Sequence, residues 1–264
     1  MDSVAIYYFS ATGNSLAVAL RLAEHLGASS PVSIPGSLVL DDPYVAASTA
    51  NKVGFVFPVH RATLPEMVRG FINSLPARPD CYYFAVSTYT IFGCNEFWDI
   101  DEILRSKGAV LNYASDVRMM GNVGLGQPSS RVIERRFKAM DDQVVEIAEA
   151  VSNGQENYFR RAFKLLGSAV RRVNDSRRRH IVFRIDEHCK RCGICAQVCP
   201  AQNITLDSEG DRAPVRSSKC EACLACVHWC PANALHANIK LHGHYHNPTI
   251  SPDQLNPKGV KPLV

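Results

Sequence analysis

The chain has 264 residues, which leaves room for one ordinary domain and a small second one. Hydrophobic residues make up 46% of it, as in a folded soluble protein, and the formal net charge is only +4. No apolar run approaches the roughly 18–20 residues that a bilayer span needs. The first residues do not form a basic and apolar leader. We therefore expect a cytoplasmic protein, in which ten cysteines indicate metal binding rather than disulfides.

Residues 4–9 form a continuous apolar run, which predicts a strand buried on both faces of a parallel sheet. A turn at residues 10–15 and a helical pattern follow it. The N-terminus of a helix offers N–H groups and a positive dipole end, and the turn adds hydroxyl donors. Gly13 permits a tight turn. These features predict a phosphate site, although the turn lacks both the G-K-S/T of P-loops and the G-x-G-x-x-G of dinucleotide folds.

The turn sequence S-A-T-G-N-S resembles the FMN phosphate loop of flavodoxins. The alternative is a plain capped helix that follows a strand and holds no ligand. The resemblance implies that the phosphate of FMN is bound by Ser10, Thr12, Gly13, Asn14 and Ser15.

Three further strands are predicted at residues 52–57, 82–87 and 110–117, and they alternate with helices. This alternation indicates a doubly wound α/β sheet of parallel strands. In the flavodoxin-like order 2-1-3-4-5, the loops at 10–15, 58–65 and 87–94 converge on one crevice. The resemblance implies that the last two loops flank the flavin ring, with contacts from Pro58, Val59, His60, Ser87, Thr88, Tyr89 and Gly93.

Two further segments are harder to interpret. Residues 119–126 contain three glycines and two methionines, which favours a loop either over the flavin edge or at the domain junction. A helix predicted over 141–151 closes the first domain. Residues 158–173 then form a basic amphipathic pattern, which is typical of a linker helix or of a site for an acidic redox partner. Nucleic acid or anionic lipid is a weaker alternative, because aromatic side chains do not interleave with the basic ones.

A cysteine pattern, C-x2-C-x2-C-x3-C-P, occurs twice within residues 189–231. This spacing is typical of a pair of iron–sulfur clusters, which select soft thiolate ligands. Structural zinc and a disulfide framework are the alternatives, and neither requires the same dense spacing twice. Residues 181–237 resemble the bacterial two-cluster ferredoxins, in which the fourth cysteine of each run binds the other cluster. One 4Fe–4S cluster would then be held by Cys189, Cys192, Cys195 and Cys230, and the other by Cys220, Cys223, Cys226 and Cys199.

Residues beyond 237 are polar and contain several histidines and prolines. They favour a tail that folds back on the protein surface, and a metal site is the alternative. The expected organisation is a flavodoxin-like domain (1–155), a basic linker helix (156–180), a small α+β ferredoxin domain (181–237) and a C-terminal tail (238–264).

The chain as a whole resembles a flavodoxin–ferredoxin fusion. That resemblance implies an electron-transfer protein that relays single electrons between two 4Fe–4S clusters and FMN, and so couples one- and two-electron redox partners. The partners would be redox proteins that the sequence does not identify, and the basic helix is a candidate docking site for them. The alternatives are a flavin-dependent reductase that acts directly on a small substrate and a redox-sensing module. No Ser/His/Asp or Cys/His arrangement predicts catalytic residues for hydrolysis.

Overall fold

The structure is a computed structural model. It describes residues 3–60, 63–90, 96–121, 129–157, 181–205, 215–216, 220–239, 241 and 243–259. The predicted basic linker helix and Gly93 fall outside these ranges. Within the described residues, no helix combines the length and the apolarity that crossing a bilayer requires.

The main sheet has five parallel strands in the order β2-β1-β3-β4-β5. This confirms the predicted flavodoxin-like strand order, with β1 and β3 adjacent at the centre. The strands are β1 (Val4–Tyr8), β2 (Val32–Ser33), β3 (Lys52–Pro58), β4 (Tyr82–Tyr89) and β5 (Leu111–Arg118).

The central strands are buried on both faces, which explains their continuous apolar sequences. Tyr7 pairs with Phe55, and Phe55 pairs in turn with Ala85. Gly54 makes this packing possible, because a Cβ atom there would lie 2.2 Å from Cζ of Phe84. The aromatic ring of β4 therefore occupies the space that a side chain on β3 would need.

Helices cover the sheet: α1 packs against α6, and α4 packs against α5. Right-handed crossovers in opposite directions along the sheet put α1 on one face and α4 and α5 on the other. An ion pair at 2.9 Å between Arg21 and Asp141 joins α1 to α6. The helices are α1 (Asn14–Leu26), α2 (Ile34–Ser37), α3 (Val45–Thr49), α4 (Glu66–Ser74), α5 (Glu96–Arg105) and α6 (Ser130–Ser152).

The last of these helices is longer than the predicted 141–151, since it begins at Ser130. Its first turns are mostly exposed, and Val132 is 44% accessible, so their apolar residues do not form the regular stripe that the prediction relied on. Phe137 and Met140 continue the buried face upstream.

The C-terminal region is built of short elements around a small core of its own, which includes Ile204, Leu224, Val227 and Leu235. Antiparallel pairing joins β6 to β9 and β7 to β8. This is the small α+β domain that the sequence predicted. Its elements are β6 (Phe183–Ile185), α7 (Ile194–Gln197), β7 (Ile204–Thr205), β8 (Val215–Arg216), α8 (Ala225–His228) and β9 (Leu235–Ala237).

The described part of the tail, residues 243–259, packs back onto the first domain. Ile250 and Leu255 enter the main hydrophobic core, and the hydroxyl of Tyr8 donates to the carbonyl of Gln254 at 3.1 Å. Two short 3₁₀ turns, Pro252–Leu255 and Pro257–Gly259, each begin at a proline, and prolines at this spacing exclude a longer helix. The tail is thus more deeply embedded than a segment lying on the surface. The bounds of the four segments, 1–155, 156–180, 181–237 and 238–264, stay predictions.

Candidate functional sites

A cleft opens at the carboxyl ends of β1, β3 and β4, where a flavodoxin-like sheet holds its ligand. Four segments supply its walls: the turn after β1, the end of β3, the end of β4 and the segment after β5. The lining residues are Ser10, Ala11, Thr12, Asn14, Ser15, Pro58, Val59, His60, Thr88, Tyr89, Thr90, Met119, Met120 and Gly121.

Most of the predicted flavin contacts come together in this cleft, and two of the described ones do not. Ser87 is fully buried, and its hydroxyl bonds the carboxylate of Asp116. Burial raises the pKa of Asp116. Gly13 lies in the turn but faces away from the cleft, toward the tail. Gly93 lies outside the described residues.

The turn before α1 has the features of an anion site. Gly13 has a φ of 94°, a left-handed conformation that glycine adopts without strain, and α1 begins at the next residue. The first N–H groups of a helix have no partner within the helix. Ser10 is only 7% exposed, and its Oγ has no hydrogen-bond partner among the residues that the structure describes. A buried hydroxyl of this kind costs free energy unless a ligand bonds it, so the turn fits the phosphate group of FMN.

Other side chains of the turn are tied to neighbouring segments. Ser15 and Thr88 share a hydrogen bond of 2.8 Å between their hydroxyls, which joins the turn to the end of β4. The amide of Asn14 donates to the carbonyl of Met120 at 2.9 Å. The turn is therefore fixed to two of the other cleft walls.

Met119, Met120 and Gly121 form one wall of the cleft, and residues 122–128 lie outside the described part. The two alternatives for this segment, a loop over the flavin edge or a loop at the domain junction, stay predictions. Gly121 is needed because a Cβ there would lie 2.7 Å from Oγ1 of Thr90. Sequence reasoning also missed Ala11 and Thr90, whose positions within two predicted loops were the available signal.

The cysteines form two sets, and each set surrounds its own cavity. Cys189, Cys192, Cys195 and Cys230 line one cavity. Burial, with a smaller contribution from the neighbouring thiols, raises the pKa of Cys195 to about 11. The fourth cysteine of the second run has thus joined the first three of the first run.

The second set shows the reciprocal exchange. Cys220, Cys223, Cys226 and Cys199 line a second cavity. Burial raises the pKa of Cys223 well above its ordinary value, with a smaller contribution from the other three thiols of the set. Among the described residues, no three Cys, His, Asp or Glu side chains stand as close together as a single metal ion requires. The thiols of each set are spread around a cavity.

Backbone N–H groups point at sulfur atoms in both sets. Asn203 donates to Cys199 at 3.2 Å, and Ala234 donates to Cys230 at 3.3 Å, the equivalent bond in the second run. A third bond runs from Ala222 to Cys220 at 3.3 Å. Hydrogen bonds to cysteine sulfur are one of the means by which proteins set cluster potentials. The chemistry and spread of each set therefore fit a 4Fe–4S cluster.

Comparison with known proteins agrees with the cysteine geometry. Residues 181–231 match the model of a family described as a 4Fe-4S dicluster domain. The C-terminal region is therefore a small ferredoxin-type domain of the 4Fe–4S kind. The match covers only this part of the chain.

Two curated proteins are similar to parts of this chain. One is an archaeal-type glutamate synthase (NADPH) of Dehalococcoides mccartyi, 38% identical over 55 residues, which are 21% of this chain and 11% of that protein. The other is the methylamine utilization ferredoxin-type protein MauM of Methylophilus methylotrophus, 30% identical over 122 residues, which are 36% of this chain and 54% of that protein. The chain spans about a tenth and about half of the length of these relatives.

The first domain is similar to solved flavodoxins at low identity. The two-electron reduced flavodoxin of Megasphaera elsdenii is 16% identical, with a TM-score of 0.38, over 54% of this chain and 98% of that one. The assignment of a flavodoxin-like fold rests on the strand order of the chain itself.

Proposed function

We propose that this chain is an electron-transfer protein that binds FMN in the cleft and a 4Fe–4S cluster in each cysteine cavity, and that single electrons pass between them within one molecule. The observation that carries the proposal is the exchange of the fourth cysteines, which gives two complete four-thiol sets on a chain that also has a phosphate turn. When bound, the clusters exchange single electrons and FMN accepts one or two.

The residues of the chain bind and orient these groups. Ser10 and Thr12 offer hydroxyl donors at the start of α1, where the helix dipole also favours a phosphate. His60, Tyr89 and Met119 are candidates for contact with the flavin ring, because they line the cleft away from the turn. Burial of Cys223 and Cys226 keeps water from the second cavity and contributes to the potential there.

Contact between the two sites supports an internal path. Trp229 precedes Cys230, and its indole Nε1 donates to the carbonyl of Ala11 in the phosphate turn at 3.0 Å. Cys223 belongs to the same hydrophobic core as the strands of the main sheet. The segment that holds the clusters therefore touches the turn that would hold FMN. We further propose that the external donor and acceptor are redox proteins.

The proposal is tested by the composition of anaerobically purified protein. About eight irons and one FMN per chain are expected, from two four-iron clusters and one flavin site. A Cys195→Ser variant should lose about half of the iron, since one four-thiol set is broken. Cys81→Ser is the matched control, because Cys81 is a buried thiol that lines neither cysteine cavity. Equal iron in the two variants, or iron without flavin in the wild type, would contradict the proposal.

A further inference from the structure

The tail of the chain covers the side of the phosphate turn that faces away from the cleft. The backbone N–H of Asn247 donates to the carbonyl of Thr12 at 2.7 Å. Asn247 is fully buried, and Tyr245 and Ile250 are each 6% exposed. None of these three residues is among the described residues that line the cleft. The turn is therefore held between the cleft and the tail.

Asn14 connects the two sides. Its Oδ1 accepts hydrogen bonds from the hydroxyl of Tyr245 at 2.9 Å and from Nδ2 of Asn247 at 3.3 Å. Those bonds orient the amide so that Nδ2 donates to Met120 in the cleft wall. Burial raises the pKa of Tyr245, so its hydroxyl stays a donor at neutral pH. The tail thereby sets the orientation of a side chain at the first residue of α1.

Packing at Gly13 shows how close the tail lies. A Cβ on Gly13 would come within 2.9 Å of Cβ of Asn247 and 3.0 Å of Cβ of Ile250. Glycine at this position thus serves the contact with the tail as well as the left-handed backbone. The tail is in turn anchored on the cluster domain, where His228 Nδ1 accepts from the N–H of Tyr245 at 3.2 Å.

We propose that Tyr245 and Asn247 are positioning residues of the flavin phosphate turn. The inference rests on the proposed FMN site. Residues 10–15 include neither lysine nor arginine, so the turn itself offers the phosphate only neutral N–H and O–H donors. Neutral donors bind an anion well only when their geometry is fixed in advance, and otherwise part of the binding free energy is lost in ordering them. The contacts with Thr12, Gly13 and Asn14 provide that fixation from outside the first domain.

The test compares two tyrosines on flavin-free, full-length protein that retains its clusters. Tyr245→Phe removes the bond to Asn14, whereas Tyr8→Phe removes a bond between the first domain and the tail at Gln254, away from the cleft. Affinities for FMN and for riboflavin, which has the same ring and no phosphate, are measured by fluorescence titration. Tyr245→Phe should weaken FMN about threefold to tenfold, the effect of one hydrogen bond, and leave riboflavin unchanged. Tyr8→Phe should change neither affinity.

Asn247→Asp gives a second, larger perturbation. It keeps the acceptor that bonds Thr249 but replaces the donor to Asn14 with a carboxylate, so FMN should lose more affinity than in Tyr245→Phe. Iron content and thermal unfolding show whether either variant folds.

The results distinguish a failure of the positioning role from a failure of the proposed FMN site. An unchanged ratio of FMN to riboflavin affinity in both tail variants would overturn the positioning role, as would equal loss of both flavins. Wild-type protein that binds neither flavin, or binds both equally, would instead overturn the FMN site itself.

Discussion

Ser10 lies at the edge of the phosphate turn. Its hydroxyl is buried and has no hydrogen-bond partner among the described residues. Ser15, at the other end of the turn, is even more deeply buried, but its hydroxyl is bonded to Thr88. The two serines therefore have opposite effects on the stability of the flavin-free protein. An unsatisfied buried hydroxyl lowers stability by about 1–3 kcal/mol, whereas a bonded one contributes about 1 kcal/mol.

This difference predicts opposite effects on stability. Ser10→Ala should raise the free energy of unfolding of flavin-free protein by about 1 kcal/mol, because the unsatisfied group is removed. Ser15→Ala should lower it by a similar amount, because Thr88 loses its partner. Both variants should bind FMN more weakly. Denaturant unfolding combined with FMN titration checks the prediction, and a destabilised Ser10→Ala variant that binds FMN normally would contradict it.

At the scale of elements, the two cysteine loops repeat the same backbone as well as the same sequence spacing. Left-handed residues occur at matching positions in both: Arg191 and Ala222, Gly193 and Leu224, Gln202 and Asn233. Five of these six are not glycine, and each non-glycine residue in this conformation costs about 1–2 kcal/mol. Such strain is typical of backbone that is shaped around a functional group.

Relieving the strain at one of these positions should stabilise the loop. Ala222 has a φ of 55°, so Ala222→Gly should raise the free energy of unfolding by about 1 kcal/mol in cluster-free protein. Ala225→Gly, at the first residue of helix α8, should lower it by about 0.5–1 kcal/mol because the substitution removes a buried methyl group. Denaturant unfolding of both variants provides the comparison. If Ala222→Gly destabilises the protein as much as Ala225→Gly does, the conformation at 222 is not strained.

The parts of the fold and of the candidate sites that could be predicted are those that local sequence encodes. The strand order, the turn at residues 10–15 and the cysteine sets follow from short patterns: apolar runs, a Gly-containing turn and a repeated spacing. Ser87, which the sequence predicted at the flavin ring, is not among the described residues that line the cleft, because alternation along β4 turns its side chain toward Asp116 on β5. The contact of Asn247 with Thr12 spans more than 230 residues, and nothing in the tail sequence encodes its partner.

At the scale of the whole molecule, the two proposed sites share a boundary formed by Trp229, the tail and the phosphate turn. The ring of His246 stacks on Trp229 with centroids 4.1 Å apart, and the indole bonds Ala11. Any ligand that orders one side of this boundary should affect affinity on the other, since coupling between sites is reciprocal.

Trp229→Phe tests this coupling. The variant keeps an aromatic ring for His246 but loses the bond to Ala11, so FMN affinity should fall about threefold to tenfold while iron content stays at the wild-type level. Trp98→Phe is the control for the loss of one indole, because Trp98 lies in α5 and does not line the cleft. Loss of iron together with flavin in Trp229→Phe would indicate general unfolding rather than coupling.

The internal electron path is tested most directly by mixing the purified protein rapidly and anaerobically with a one-electron donor. The absorbance of the clusters and of the flavin is followed in the same sample. We expect the flavin to be reduced together with the clusters, at a rate independent of protein concentration, because the electron moves within one molecule. Reduced clusters beside a flavin that stays oxidised, at a potential that favours its reduction, would contradict an internal electron path.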